Sequence, residues 1–453
     1  MSTATARTSA VSWLVGRSTG LGSPRLAAGL LARAIRPRFG AGPRTILALE
    51  KSGLLEDLAA ALPPERYRVE VLDRGLIKAM ARQFLPDEVT DNYYRTEDPA
   101  ILDARRRYRT FLIGMLRHLR RRHRIDALVS ANFAYFAERE LHAACEAENL
   151  PFVVMHKENL KTPGRQAFWS TIYRDLRGPF EGRHLLVYNE IERDLEIACD
   201  IAPVEHITLT GMPRLDRVHA LRRRQAGERR DGSPTVLFFY FGERTGLPFI
   251  PRFGRSIYAD KGGVLDPALR DLNWRRTAEE TSAAITALAR AHPDIRVIVK
   301  GKVEHDKAQT LEQRVAGDGP PPANMTFVKS GDPLALIAES DVVCGFVSTA
   351  LLESLAAGRP VVVPAFGEAA DPAMADYLLD LGPAAHSAAT PEDLAEHLQR
   401  LARARATISA ELPDDVRAQL RFWTGNDDGA AGRRVEAAFE RLLDGQQDTG
   451  ARA

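Results

Sequence analysis

A chain of 453 residues, 45% hydrophobic and 27% charged, is globular in composition and too long for one ordinary core, so two domains are the default. A formal net charge of +2 gives whole-chain electrostatics no reason to expect a nucleic-acid partner, and no run approaches the roughly 18 apolar residues that a bilayer span needs. Cys145, Cys199 and Cys344 are far apart and odd in number, which excludes a disulfide framework and points to buried, reduced thiols in a cytoplasmic protein.

The charge is unevenly spread. The first 44 residues carry seven Arg and no Asp or Glu, and residues 104 to 124 carry nine Arg, again without an acid. A solvated face is the commoner reading of such runs. Interleaving with Leu, Phe, Trp and Ile makes an anionic membrane surface or an anionic acceptor the next one, and hence a peripheral place at the inner membrane. The composition of residues 1–44 is similar to that of a transit peptide, but Gly and Pro break its helical pattern. We read it as a mobile or membrane-leaning basic arm.

In chain order, the first strand is expected at Thr45 to Glu50, ending in Lys51, Ser52 and Gly53, with a helix from Leu54 stopped by Pro63-Pro64. Tyr67 to Asp73 alternates as a strand. A long polar and helical region follows, with an Arg-rich helix near Arg105 to Arg124. Ala127–Ala131, Pro151–His156, Leu185–Tyr188 and His206–Thr210 read as strands, separated by helices at Glu138–Glu148 and Glu190–Cys199. This alternation argues for a doubly wound parallel sheet. Arg222 to Ser233 is polar and Gly-containing, the best linker. The alternation then restarts with the apolar strand Thr235–Phe241. Thr245 to Asn273 is a long Gly- and Pro-rich segment. A helix over Trp274–Ala291, strands at Arg296–Val299 and Met325–Val328, and a helix over Asp332–Ala338 follow.

The best-formed unit is Glu339 to Pro364. Asp341–Phe346 is a buried strand, Ser348 stands at a helix N-cap, Thr349–Ala357 is the helix with Gly358 beyond it, and Pro360–Pro364 is the next strand. The tip of its first strand therefore holds Gly345, Ser348, Thr349 and the free amides of a helix start, a place for a phosphate. Glu353, one turn on, faces the same crevice. Helices around Pro372–Leu381 and Pro391–Arg405 come next, and the tail from Asp414 to Leu443 is helical with a break at Thr424–Gly429. The domain reading is a basic arm over 1–44, a first domain over 45–221, a linker over 222–234, a second domain over 235–412, and C-terminal helices over 413–453 that cross back to the first.

In open parallel sheets ligands bind beyond the carboxyl ends of the strands, so the residues there are the candidates. His156 or Glu158 is placed to act as a general base on an acceptor hydroxyl. Lys300, Lys302 and His305 suit a diphosphate. Gly242, Arg244, Ser330, Gly345, Ser348, Thr349 and Glu353 complete a donor site. Ser52, Asn132, Arg214 and Asp216 belong to an acceptor side or a hinge, with Tyr188 and Asn189 weaker. Each also has a plainer reading as cap, turn or solvated loop. The chain lacks G-x-G-x-x-G after its first strand and any G-x-x-x-x-G-K-[ST], which disfavours a dehydrogenase and a P-loop NTPase. No His/Cys/Asp cluster has metal-ligand spacing, so no metal site is expected.

These pieces resemble the GT-B superfamily of sugar-nucleotide-dependent glycosyltransferases, and more narrowly bacterial surface-carbohydrate (capsule and polysaccharide) biosynthesis proteins and CDP-glycerol glycerophosphotransferases. The carrying residues are Gly211-Met212-Pro213-Arg214-Leu215-Asp216, similar to a G-x-P-R-x-D turn near the domain junction. Asp341 through Ser348-Thr349 to Glu353, then Gly358-Arg359-Pro360-Val361, is similar to a donor-site segment. Lys300 stands where such proteins have a K-P-H loop, although Gly301 and Lys302 depart from it. Asp428-Gly429 with Arg433 or Arg434 loosely resembles a D-G-x-x-x-x-R run. The resemblance implies two Rossmann-like domains facing each other across a cleft. It also implies a nucleotide-sugar or CDP-linked donor on the second domain and a lipid-linked or polysaccharide acceptor on the first, with metal-independent direct displacement and no cofactor. The alternatives are a non-hydrolysing UDP-sugar 2-epimerase and a non-catalytic nucleotide-sugar-binding or scaffolding paralogue.

Overall fold

The computed structural model describes residues 14–51, 53–91, 94–228, 231–248, 267–301 and 309–450. Its first half is built on the strands β1 (Arg36–Phe39), β2 (Arg44–Leu49), β3 (Tyr67–Leu72), β4 (Ala127–Ser130), β5 (Phe152–Met155), β6 (His184–Val187) and β7 (Ile207–Leu209). They lie in the order β1-β3-β2-β4-β5-β6-β7. All pairings are parallel except that of β1, which runs antiparallel on the edge beside β3. The central strands are apolar because helices cover both faces.

The second half holds β8 (Thr235–Phe239), β9 (Arg296–Lys300), β10 (Met325–Val328), β11 (Val342–Cys344), β12 (Val361–Pro364) and β13 (His386–Ala388). Their order is β10-β9-β8-β11-β12-β13, parallel throughout. Strand order reverses between β2 and β4 in one sheet and between β8 and β11 in the other. The carboxyl ends at these switch points are where such sheets bind ligands. The described residues thus contain two doubly wound parallel-sheet units.

Several elements differ from the reading above. Residues 14–44 are not a free arm. A helix over residues 14–20, the helix Pro24–Ala34 and β1 fold onto the first sheet, with Val15, Ala27, Ala28 and Leu31 in its core. The polar run from Arg222 is not linker from its start, because the helix Leu215–Gln225 extends through it. Arg222 anchors that helix by donating to the carbonyls of Ala356 at 2.7 Å and Ala410 at 3.1 Å. Residues 372–377 form a 3-10 turn rather than an α-helix.

The Arg-rich segment is the helix Pro99–Arg120, and much of its charge is matched inside the protein. Arg105 and Arg109 both meet Glu140, at 2.8 and 2.6 Å, and Arg117 meets Glu148 at 2.8 Å. The C-terminal helix Ala431–Gly450 returns to the first unit. Val435 and Phe439 enter the cluster formed by Leu54, Leu58 and Ala61 of the helix Leu54–Ala61, while Arg66 pairs with Glu436 at 2.6 Å and Arg44 with Asp444.

Candidate functional site

The two sheets present their carboxyl ends to one another, and the contact between them is an ionic chain. Asp57, on the helix Leu54–Ala61, is 1% exposed. It accepts from the hydroxyl of Tyr188 at 2.7 Å, from the backbone N–H of Arg214 at 3.1 Å and from its guanidinium at 3.2 Å. The same guanidinium donates to the Tyr188 hydroxyl at 3.1 Å and lies 3.6 Å from Glu353 of the opposite unit. Burial works against the charge of Arg214, but Tyr188, Asp57 and Glu353 outweigh it and hold its pKa above the usual value. Burial pushes Glu353 up, and Arg214 opposes that shift. A second bridge is steric: the ring of Tyr377 lies so close over Gly164 that a Cβ there would meet its Cε1 at 2.5 Å.

Around this chain stand the candidates of the first sheet. Glu158 follows β5 and is exposed, beside half-buried Lys157. Burial lowers the Lys157 pKa and the Glu158 charge opposes that. His156 takes a different place. It is wholly buried, its Nδ1 is 3.0 Å from Glu196, and its ring meets Phe133 edge-on at 5.2 Å. Burial, with Lys161 and Arg177 nearby, lowers its pKa well below the usual histidine value. A ring in this position cannot touch an acceptor unless Glu196 and Phe133 first move. Asn132 is buried and caps the following turn, accepting from Ala134 N–H at 2.8 Å.

Asp216 is not in the cleft either. Its carboxylate accepts from Asn426 at 2.6 Å and from the N–H groups of Ala431 and Gly432 at 3.1 and 2.7 Å, which caps the C-terminal helix. Arg434 completes this clasp by donating to Thr210 O at 2.8 Å and pairing with Asp428 at 2.9 Å. Asn189 joins it by donating to Trp423 O at 2.7 Å. Gly211 and Gly425 have φ of +77° and +61°. Each packs against backbone where a side chain has no room.

On the second sheet, Ser348 caps the helix Thr349–Ala356 by accepting from Ala350 N–H at 3.3 Å. Ser348 and Thr349 are partly exposed. Val347 just before them has φ +39°, a conformation that a β-branched residue adopts only when its surroundings impose it. Here Phe346 is clamped between Phe241, stacked at 4.8 Å, and Trp274, edge-on at 5.0 Å. Gly345 is buried at the end of β11, where a Cβ would meet Leu351 at 3.0 Å. Beyond β11, β12 and β13 opens a cleft of about 300 Å³, lined by Phe346, Val347, Leu351, Pro364, Leu378 and Ser387 among others.

Other basic candidates are engaged by main chain. Lys300 Nζ donates to Gly301 O at 2.8 Å and Lys329 O at 3.2 Å. Arg244 donates to the carbonyls of Leu272, Arg270 (3.0 Å) and Pro248 (2.7 Å), bracing its loop. Gly242 donates to Thr245 Oγ1 at 3.1 Å and has open space where a Cβ would sit. Ser330 is exposed beyond the edge strand β10, two strands from the switch point. Ser52, Lys302 and His305 lie outside the described residues.

Sequence spacing offered no metal cluster, yet among the described residues the fold assembles one set of donors. His156, Glu192 and Glu196 are fully buried and place one ligand atom each within 4.8 Å of the others. The ammonium of Lys161 pairs with Glu192, and the Tyr173 hydroxyl donates to Glu192 at 2.8 Å. Burial, reinforced by Glu192, raises the pKa of Glu196 well above the usual value. The Lys161 ammonium, paired with Glu192 inside this cluster, already stands where a cation would bring its charge.

No family model matches the chain, and no curated protein matches it. Among solved structures it is similar to a putative UDP-N-acetylglucosamine 2-epimerase from Listeria monocytogenes, at 11% identity over 88% of this chain and 96% of that one, with a TM-score of 0.47. It is also similar to the wall teichoic acid polymerase TagF, at 10% identity over 94% of both chains and a TM-score of 0.48. The glycotransferase of kitacinnamycin is a further one, at 16% identity over 90% and 100%, with a TM-score of 0.44. These likenesses decide nothing further about the chain; its own strand orders show two doubly wound parallel-sheet units, the arrangement expected of a GT-B-like architecture.

Proposed function

We propose that the chain is a transferase acting on a nucleotide-activated sugar or polyol phosphate in cell-surface polysaccharide synthesis. The observation that carries this reading is the opposition of two switch-point crevices, bridged by Arg214 and Glu353 at 3.6 Å. One crevice has the means to hold an anion, namely the amides and hydroxyls at Ser348 and Thr349, with an apolar cleft of about 300 Å³ beside them for an uncharged part of the donor. The other carries an exposed carboxylate, Glu158. In this reading the acceptor hydroxyl loses its proton to Glu158 as its oxygen attacks the donor. The nucleotide leaves with the bonding electrons, its charge offset by the helix start and not by a resident metal. The acceptor is lipid-linked or a growing polysaccharide. Glu158 rather than His156 is assigned the base, because His156 has no exposed surface.

The test is product analysis after incubation with UDP-, GDP- and CDP-linked donors and a lipid-linked acceptor fraction. Nucleotide release that depends on acceptor supports the transferase. Free nucleotide and an altered sugar without acceptor would identify an epimerase instead. Intact donor under all conditions, with the protein folded, contradicts both.

A further inference from the structure

Among the described residues, five large apolar side chains are exposed, and three of them, Leu14, Leu21 and Leu26, lie together at 44%, 78% and 55% exposure. They border a groove of about 800 Å³ between the residue 14–20 helix and the helix Pro24–Ala34. The groove is held rigidly from behind. Val15, Ala27, Ala28 and Leu31 are buried in the first core. Gly114 of the helix Pro99–Arg120 lies against Pro24, where a Cβ would stand 3.2 Å from its ring. Arg122 donates to Arg25 O at 3.3 Å. The leucines are therefore presented outward by a folded support, not by a loose arm.

The charged residues lining the groove are Arg17, Arg25, Arg33 and Arg122, with no acid among the lining residues. A second copy of this chain is a poor occupant, since a two-fold contact would set these arginines against themselves. A free polyanion would match the arginines and leave the leucines in water. An anionic lipid surface satisfies both, with leucines entering the acyl boundary and guanidinium groups at the headgroups. We propose that this face docks the protein on an anionic phospholipid bilayer. Among the described residues no helix is long and apolar enough to cross one, so the attachment is interfacial. The proposal does not rest on the transferase reading.

The experiment is sedimentation of the full chain with vesicles of phosphatidylglycerol and phosphatidylcholine, against phosphatidylcholine alone, at low and raised salt. Binding is expected only to the anionic vesicles and should weaken with salt. Each arginine near such a surface contributes roughly five-fold in partition, so Arg25→Gln with Arg33→Gln should lower the partition coefficient about 25-fold. Leu21→Ser with Leu26→Ser should lower it about ten-fold or more, each leucine contributing several CH₂ groups. These side chains stand in solvent, so the thermal midpoint should not move. No binding of folded wild type to anionic vesicles overturns the proposal. So does binding that the leucine substitutions leave unchanged, which would mark a surface for soluble polyanions. A dimer in light scattering that Leu21→Ser dissociates also overturns it. Nucleotide titration of the same variants should match wild type, so either result can fail without the other.

Discussion

Arg214 is the residue whose removal the ionic chain makes most informative. Arg214→Ala would leave Asp57, 1% exposed, with only Tyr188 as side-chain partner, and Glu353 facing it without a cation. Breaking a buried ion pair from one side costs about 3–5 kcal/mol, because a desolvated charge is left behind. For a domain of this size 3 kcal/mol corresponds to a fall in melting temperature of roughly 6–12 °C. The physical content lies in the coupling. Asp57→Asn with Arg214→Ala removes both charges, so the double variant should lose less than the two single losses together, by about 1–3 kcal/mol. The assay is thermal and denaturant unfolding of wild type, both singles and the double. A cost below about 1 kcal/mol for Arg214→Ala, or strict additivity, would refute the claim that this chain holds the two units in register.

Three further outcomes follow from particular contacts. His219 Nε2 donates to Asn426 O at 3.1 Å while Nδ1 accepts from Arg222 at 3.0 Å. Burial, with Arg222 nearby, lowers its pKa from 6.5 to about 4. The unfolded chain therefore takes up this proton first, so the contribution of His219 is fully present above about pH 6.5 and is lost as pH falls through about 4. It amounts to roughly 3 kcal/mol, and denaturant midpoints against pH should flatten in His219→Gln. Gly425→Ala would drive a Cβ into Tyr188 O at a left-handed position. Its melting temperature should fall by several degrees, whereas Gly227→Ala, with nothing within 4 Å, should lose far less. Glu158→Gln should leave donor affinity within about two-fold and lower kcat by roughly 10²–10⁴; an unchanged kcat removes Glu158 from the base role.

Much of the fold was legible because its signals are local. Runs such as Thr235–Phe239 are apolar for being buried on both faces. Ser348 and Asp332 accept the bonds that N-caps accept. β1 was missed because Arg36-Pro37-Arg38-Phe39 carries an edge strand's residues, two arginines and a proline, rather than an apolar run. The site was less legible, since its partners are distant in sequence. Asp57 is one of two neighbouring acids in a Leu- and Ala-rich helix, and its partner Arg214 lies 157 residues away. Glu192 and Glu196 read as an ordinary helix face until β5 brings His156 against them. Asp216 and Arg434 matched motifs, but the motifs did not reveal that both clasp the C-terminal helix. Lys300 and Arg244 looked like anion ligands by position, whereas nearby carbonyls accept their hydrogen bonds.

The central claim is that the helix start at Ser348 and Thr349 holds a nucleotide-linked donor. Calorimetric titration of the full chain with UDP-, GDP- and CDP-linked compounds tests it directly. At least one compound should bind, and Thr349→Glu, which places a carboxylate at that helix start, should weaken it ten-fold or more while the melting temperature holds. Absence of binding by folded protein to every compound, or binding that Thr349→Glu leaves unchanged, would contradict the account.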